Sequence, residues 1–390
     1  MIDIKKEYFF LITENYINLT RFIFFMKRSK KKNSNRSKLL LLCGTIIAFI
    51  FLIEFISYLA TNKSHISNEE LKIIDSKDFA YSSINNNQSY LPGIDTIRRV
   101  SKQFVNGTII YNTTQSREKY GRRIFGQIYK INNPHVILFG CSFVNGDGLN
   151  DNETLSYFLY KEIPEYNIYN YGISGSGPQK MLDLLKSNKL PQEVFSSKGY
   201  FFYVFTNIHI YRAIGSTVSP DTIRKYTALN KDENWFSYII NRNGTLEKID
   251  SSDEIIRIRN LVYRIFLLIK QHSYFLRLNN IDLPFNSVKK GAELTYKIIA
   301  ASKSEYEKQF NGTFYVVLHP ISGDIETQNL IQLLKKNNIS YIYYSINGSL
   351  DEYEIPQDLH PNAKLNRLLA ERLAQFIENK DNSSSKTIYT

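Results

Sequence analysis

The stretch His135-Val-Ile-Leu-Phe-Gly-Cys-Ser-Phe-Val-Asn-Gly-Asp-Gly-Leu149 sets Ser142 directly after an apolar run, Val136–Phe139, that reads as a buried strand. Gly140 before it and Gly146 after it let the backbone turn sharply and leave a side chain exposed above a sheet. A serine at a strand-to-helix turn is where an acyl-transfer enzyme puts its nucleophile. The competing reading is a tight turn that contains a serine. The run Thr154-Leu-Ser-Tyr-Phe-Leu159 carries the apolar face of a following helix, with Asn152 or Asp151 able to cap it.

A serine nucleophile needs a base, and histidine is the usual one at neutral pH. Of the six histidines, His65 lies beside an apolar span, His272 inside a helical pattern, and His135 before the first strand, at the wrong edge of the sheet. His209, His319 and His360 remain. His360 has Asp358 two residues before it and Pro361-Asn362 after it, directly ahead of a helix. A carboxylate that close could hold the imidazole in its productive tautomer, although a lone Asp-x-His is also consistent with a solvated loop. Developing negative charge needs preset donors. The Ser142 N–H is one. Gly172, after another strand, offers a second N–H, and the Asn207 side-chain amide, just past a third strand, offers the last. A plain turn at Gly172 and a helix cap at Asn207 are the plainer alternatives.

The elements that must position these residues alternate. Strands are expected at Gly107–Tyr111, 136–139, 166–171, 199–205, 313–318 and 340–344. Helices are expected near 153–162, 179–187, 253–276, 288–309, 325–336 and 363–378, with a hairpin around Asn243-Gly244. Strands alternating with helices predict a parallel, doubly wound α/β sheet, whose active site lies on the loops after the strand C-termini. Ser142, Gly172, Asn207, His319 and His360 all fall on such loops.

The chain has 390 residues, 43% of them hydrophobic, enough for a sizeable core. Its net charge of +12 is not a nucleic-acid signal, because seven basic residues and no acidic one crowd between Met26 and Lys38. Met26 itself looks like a natural start. The apolar run 39–60 is long enough to cross a bilayer core of about 30 Å as a helix. Its basic flank predicts a cytoplasmic N-terminus (residues 1–38) and an extracytoplasmic remainder, anchored in the cytoplasmic membrane by a single pass. The long core and the lack of a small-residue cleavage site favour an anchor over a cleaved signal. Leu42 stands where a lipoprotein signal would put a small residue before Cys43. Residues 61–90 read as a polar stalk, 91–380 as the folded domain with 206–310 as an insert that sets specificity, and 381–390 as a disordered tail. A disulfide between Cys43 and Cys141 is not expected. There is no Cys-x-x-Cys, His-Glu-x-x-His or Gly-x-x-x-x-Gly-Lys, so neither a metal nor a P-loop nucleotide is implied.

Taken jointly, four blocks resemble the SGNH (GDSL-type) hydrolase family. They are Gly140-Cys-Ser-Phe143, Asn170-Tyr-Gly-Ile-Ser-Gly-Ser-Gly177, a strand ending at Asn207, and Asp358-Leu-His360 before a terminal helix. Tyr120-Gly-Arg-Arg123 and Asp151-Asn-Glu-Thr-Leu155 look like a bacterial, membrane-anchored branch of it. The resemblance covers residues 91–378. It implies a three-layer α/β/α sandwich, with Ser142 as nucleophile, His360 as base, Asp358 as its orienting partner, and an oxyanion hole of Ser142 N–H, Gly172 N–H and the Asn207 amide. It implies no metal and no organic cofactor. Three departures stand out. Cys141 replaces the usual Asp. Asp358 lies one residue closer to the histidine than usual, with Gln357 at the expected place. The third block reads Thr206-Asn-Ile-His-Ile-Tyr-Arg212, which leaves His209 as an alternative occupant of the site. The implied activity is an esterase or deacetylase acting on acyl esters of a glycan, lipid or small molecule outside the membrane. The same residues would serve an O-acyltransferase, and a non-catalytic glycan-binding or assembly protein could retain the fold. Trp235 and the many tyrosines of 206–310 could stack on sugar rings.

Overall fold

The computed structural model describes residues 34–61, 71–79, 84–85, 89–91, 94–104, 106–219, 236–250, 254–321 and 324–386. The basic tract 27–32, Met26 and Trp235 lie outside them. The chain divides into two units.

The larger unit, Asn68–Arg264 with Asp282–Thr390, carries the predicted alternation. An antiparallel sheet comes first, ordered β1 (Leu71–Phe79), β2 (Thr96–Phe104), β3 (Ile109–Arg117). There follow β4 (His135–Gly140), α1 (Ser142–Asn145), α2 (Leu155–Glu162), β5 (Asn167–Gly172), α3 (Pro178–Lys186), β6 (Lys198–Phe205) and α4 (Ile208–Ile214). After the hairpin Phe236–Ile240/Leu246–Asp250 come α5 (Ser287–Gln309), β7 (Asn311–Leu318), α6 (Asp324–Lys336), β8 (Tyr341–Tyr343) and α7 (Ala363–Lys386).

Five strands form one parallel sheet in the order β8-β7-β6-β4-β5. The central strands are apolar on both sides, so each face needs its own cover of helices. On one face Ile137, Phe139, Phe201 and Val316 pack with Met181 and Leu185 of α3, Ile299 of α5 and Leu330 of α6. On the other, Val136, Leu138, Val204 and Val317 pack with Leu155 and Leu159 of α2 and Leu365, Leu369 and Leu373 of α7. The result is the predicted three-layer α/β/α sandwich. The chain order reverses between β4 and β6, and at such a switch point a crevice opens above the strand C-termini. Ser142 follows β4 there.

Several boundaries differ from expectation. Residues 71–79, inside the expected stalk, pair along their whole length with β2, from Leu71↔Phe104 to Phe79↔Thr96. A polar sequence suffices there, because an antiparallel edge strand needs only backbone partners. Helix α7 runs on to Lys386, through part of the expected tail, and the Tyr166 and Tyr200 hydroxyls donate to Asp381 on it. The cap of α2 is Thr154, whose Oγ1 accepts the Tyr157 N–H at 3.2 Å; Asp151 and Asn152 belong to a preceding single turn.

The smaller unit, Met1–Ser67 with Ile265–Ile281, contains the helix Ser34–Thr61. Within it, Lys38–Ala60 is long and apolar enough, by length and composition, to cross a membrane.

Candidate active site

Three sequence-predicted residues come together at the C-terminal edge of the parallel sheet. Strand β4 and the one-turn helix α1 project Ser142, and Gly146 closes that turn in the left-handed region (φ 78°), its N–H bonding the Ser142 carbonyl at 2.8 Å. His360 Nε2 lies 2.9 Å from Ser142 Oγ, and His360 Nδ1 lies 2.6 Å from Asp358 Oδ2. These partners select one tautomer: Nδ1–H donates to the carboxylate, which leaves the Nε2 lone pair facing the serine hydroxyl.

The shortened Asp-x-His spacing works through backbone conformation. Gln357 (φ 66°) and Leu359 (φ 64°) both adopt the left-handed region, on either side of Asp358. For non-glycine residues that costs on the order of 1–3 kcal/mol each. The loop is held by the Ile355 N–H on the His360 carbonyl (2.8 Å) and by the Asp358 and Leu359 N–H groups on the Ile355 carbonyl (3.0 and 3.2 Å).

Sequence reasoning missed a fourth member of this cluster. Lys102, on β2, donates from Nζ to the other oxygen of Asp358. Burial pushes the Asp358 carboxyl up, but the hydrogen bonds and charges of His360 and Lys102 outweigh it and hold the group below the usual range. For His360, burial alone would lower the pKa. The hydrogen bond and charge of Asp358, reinforced by Asp147, raise it above the ordinary 6.5. Only alternation along Thr96–Phe104, with Lys102 read as inward-facing, could have signalled this partner.

The expected oxyanion donors differ in state. Ser142 heads a helix, so its N–H has no intrahelical acceptor. Asn207 stands at the N-cap position of α4, yet makes no side-chain capping bond, and its amide has no hydrogen-bond partner among the described residues. It follows Thr206, whose Oγ1 is 3.9 Å from Cys141 Sγ beside Ser142. Gly172 departs from expectation: its N–H donates to Asn170 Oδ1 at 2.9 Å and is not a free donor. Its smallness serves another end. A Cβ there would stand 2.2 Å from the Asn145 nitrogen, so only glycine lets β5 pass behind the Ser142 turn.

That turn is stapled by the last arginine of the Tyr120-Gly-Arg-Arg123 segment. Arg123, 2% exposed, donates to the carbonyls of Asn145 (2.9 Å), Gly146 and Leu149 and to Asp151 (3.1 Å). Arg122 is held by Glu118 and by the Tyr171 hydroxyl at 2.8 Å. Asn145 is fixed by Arg117 (2.9 Å) and Ser174 (3.1 Å).

His209, His319 and His135 are held by other partners. His209 is fully buried and bonded to the Tyr203 hydroxyl at 2.8 Å, and burial holds it well below its ordinary pKa. It does not take the place of Asn207. His319, pushed down by burial to about 3, packs 4.8 Å from the Phe143 ring, which also contacts His360. His135 sits at the opposite end of β4, on Tyr306 and Ser196. Both cysteines are free.

No protein-family model matches the chain, and no curated protein matches its sequence. Solved structures do resemble it. A G-D-S-L family lipolytic protein from Veillonella parvula is 12% identical, covering 62% of this chain and 96% of its own, with a TM-score of 0.34. An acetylxylan esterase from Butyrivibrio proteoclasticus is 10% identical over 82% of this chain and 97% of its own (TM-score 0.35). Another, from Geobacillus stearothermophilus, is 11% identical over 62% and 93% (TM-score 0.32).

Proposed function

We propose that this chain is a membrane-anchored serine hydrolase of the SGNH type that cleaves acyl esters outside the cytoplasmic membrane through an acyl-serine intermediate. The observation that carries the reading is the continuous chain Ser142 Oγ–His360–Asp358 at 2.9 and 2.6 Å. A buried hydroxyl, an imidazole with a raised pKa and a carboxylate with a lowered one are what base-assisted attack requires. The helix Lys38–Ala60 with its basic flank supports the anchor and its orientation.

In this mechanism His360 Nε2 takes the Ser142 proton as Oγ bonds to the ester carbonyl carbon. The carbonyl π electrons move to oxygen, and that oxyanion is met by the Ser142 N–H and the Asn207 amide. The imidazolium, stabilised by Asp358, then protonates the departing alkoxide. Water attacks the acyl-serine in turn, its proton taken by the same nitrogen; the bond from the acyl carbon to Oγ breaks, the imidazolium returns the proton to Ser142 Oγ, and the carboxylic acid leaves. The anchor helix and the aromatic insert 206–310 favour an acylated glycan or lipid as substrate.

The test is labelling of the full chain in detergent with a fluorophosphonate. Wild type labels, Ser142→Ala does not, and His360→Ala labels far more slowly. Absence of labelling in a folded wild type counts against the proposal. Product analysis with water and sugar acceptors then separates hydrolysis from transfer.

A further inference from the structure

The anchor helix carries one carboxylate, Glu54, about 9 Å short of the C-terminal end of the span. Inside a hydrocarbon core a carboxylate is costly without partners. Here the partners are the start of the short helix Tyr274–Leu278: the Ser273 hydroxyl and the N–H groups of Tyr274 (2.8 Å) and Phe275 (3.3 Å) all donate to Glu54. The Tyr58 and Tyr274 rings meet edge to face at 5.0 Å. These contacts lie within one compact unit and fix residues 273–275 at the depth of Glu54.

The helix Glu254–His272 ends immediately before them. Ile258, Leu261, Val262, Ile265, Leu268 and Ile269 are between 48% and 60% exposed along it. At 100° per residue their spacing collapses onto an arc of about 120°. Arg257 and Arg264 border that arc on one side and Lys270 on the other, while Arg259, on the Lys270 side, is turned inward over the Tyr263 ring. An apolar stripe with basic borders is the pattern of a helix lying in a bilayer interface, its aliphatic residues in the acyl region and its cations at the headgroups.

We infer that the helix Glu254–His272 is an in-plane membrane helix seated in anionic lipid, tethered at its C-terminal end through the Glu54 cap. The inference rests on the anchor reading. It does not rest on the hydrolase reading. The occupant is lipid because the stripe leads directly into a contact inside the span, and because the positive borders complement acidic headgroups.

The full chain, carrying Trp235→Phe, is reconstituted in bilayers of phosphatidylcholine and phosphatidylglycerol with acyl chains brominated at a shallow position or, in a parallel set that reaches Phe49, near the bilayer centre. Single tryptophans are introduced as Leu261→Trp, Ile265→Trp or Leu268→Trp, with Arg264→Trp on the border and Phe49→Trp in the anchor; circular dichroism verifies folding of each. The three stripe tryptophans should lose most of their emission to the brominated lipid and resist aqueous iodide, while Arg264→Trp should be quenched less by lipid and more by iodide. Stripe tryptophans open to iodide would overturn the inference. So would protection from both quenchers, which would mean that protein covers the stripe. Quenching of Phe49→Trp alone would leave the anchor standing without the in-plane helix, and no quenching at Phe49→Trp would remove both.

Discussion

Strand β4 has an imidazole bonded to a hydroxyl at each end, and the two pairs are chemically opposite. At the C-terminal end His360 bridges Ser142 (2.9 Å) and a carboxylate. At the N-terminal end His135 bridges the Tyr306 hydroxyl (2.7 Å) and the Ser196 carbonyl (2.7 Å). His135 is fully buried, and burial drives its pKa to about 4 despite the carbonyl. The His360 side chain is 26% exposed and its pKa is raised, because Asp358 overcomes burial. A histidine–hydroxyl contact is therefore not in itself a catalytic device. The third partner decides whether the ring can accept a proton: a carboxylate stabilises imidazolium, whereas a carbonyl in a dry core fixes a neutral ring as a strut.

The sharpest way to break this contrast is to remove each hydroxyl. Ser142→Ala should abolish fluorophosphonate labelling and lower ester turnover ~10⁶-fold, whereas Tyr306→Phe should leave both intact. Equal losses would erase the distinction. Next, Asp358→Asn should turn the His360 pair into something like the His135 pair, with a rate loss on the order of 10⁴ and unchanged protein concentration in the soluble, folded fraction.

Lys102→Met should have a smaller effect, roughly tenfold in kcat/KM, and it has a sign. With the lysine gone, Asp358 presents its full charge to His360, so the imidazolium is favoured further. The acid limb of the pH–rate profile then moves to higher pH. Lys102→Arg should restore it, and a purely packing role for Lys102 would leave that limb in place.

The smallest effect concerns stability. The folded pKa of His135 lies below its unfolded value, so its contribution is intact above about pH 6.5 and is lost as pH falls toward about 4, by about 3 kcal/mol. His360, with a raised folded pKa, adds stability in the opposite direction, fully present below about pH 6.5 and lost as pH rises through its folded pKa. Replacing His135 with Gln should lower unfolding free energy by about 1–3 kcal/mol at neutral pH, flatten its acid dependence, and leave labelling untouched.

The central strands were legible because a strand buried on both faces must be an apolar run, and Val136–Phe139, 199–205 and 313–318 are such runs. The meeting of Ser142, Asp358 and His360 was legible because a hydroxyl, a carboxylate and an imidazole stand on loops after strand ends or directly before the last helix. What escaped depends on contacts between distant segments. Lys102 sits in Thr-Ile-Arg-Arg-Val-Ser-Lys-Gln-Phe104, where nothing in residue type separates an inward lysine from a solvated one. Gly172 looked like a donor because glycine lets backbone approach a ligand, but equally it lets one backbone approach another, and Asn170 takes its N–H. Thr154 was passed over as a cap because the turn Asp151–Glu153 just before it offers better-ranked capping residues.

On the proposed reading, Lys102 also bears on where a working fragment of this chain begins. A fragment starting after Phe104 would keep all five parallel strands, both helical layers and Ser142, His360 and Asp358. It would still lack the cation that faces the triad carboxylate. The smallest piece of this chain that folds and the smallest piece that works are therefore expected to have different N-terminal boundaries. A truncation series that scores folding alone would stop at the wrong one.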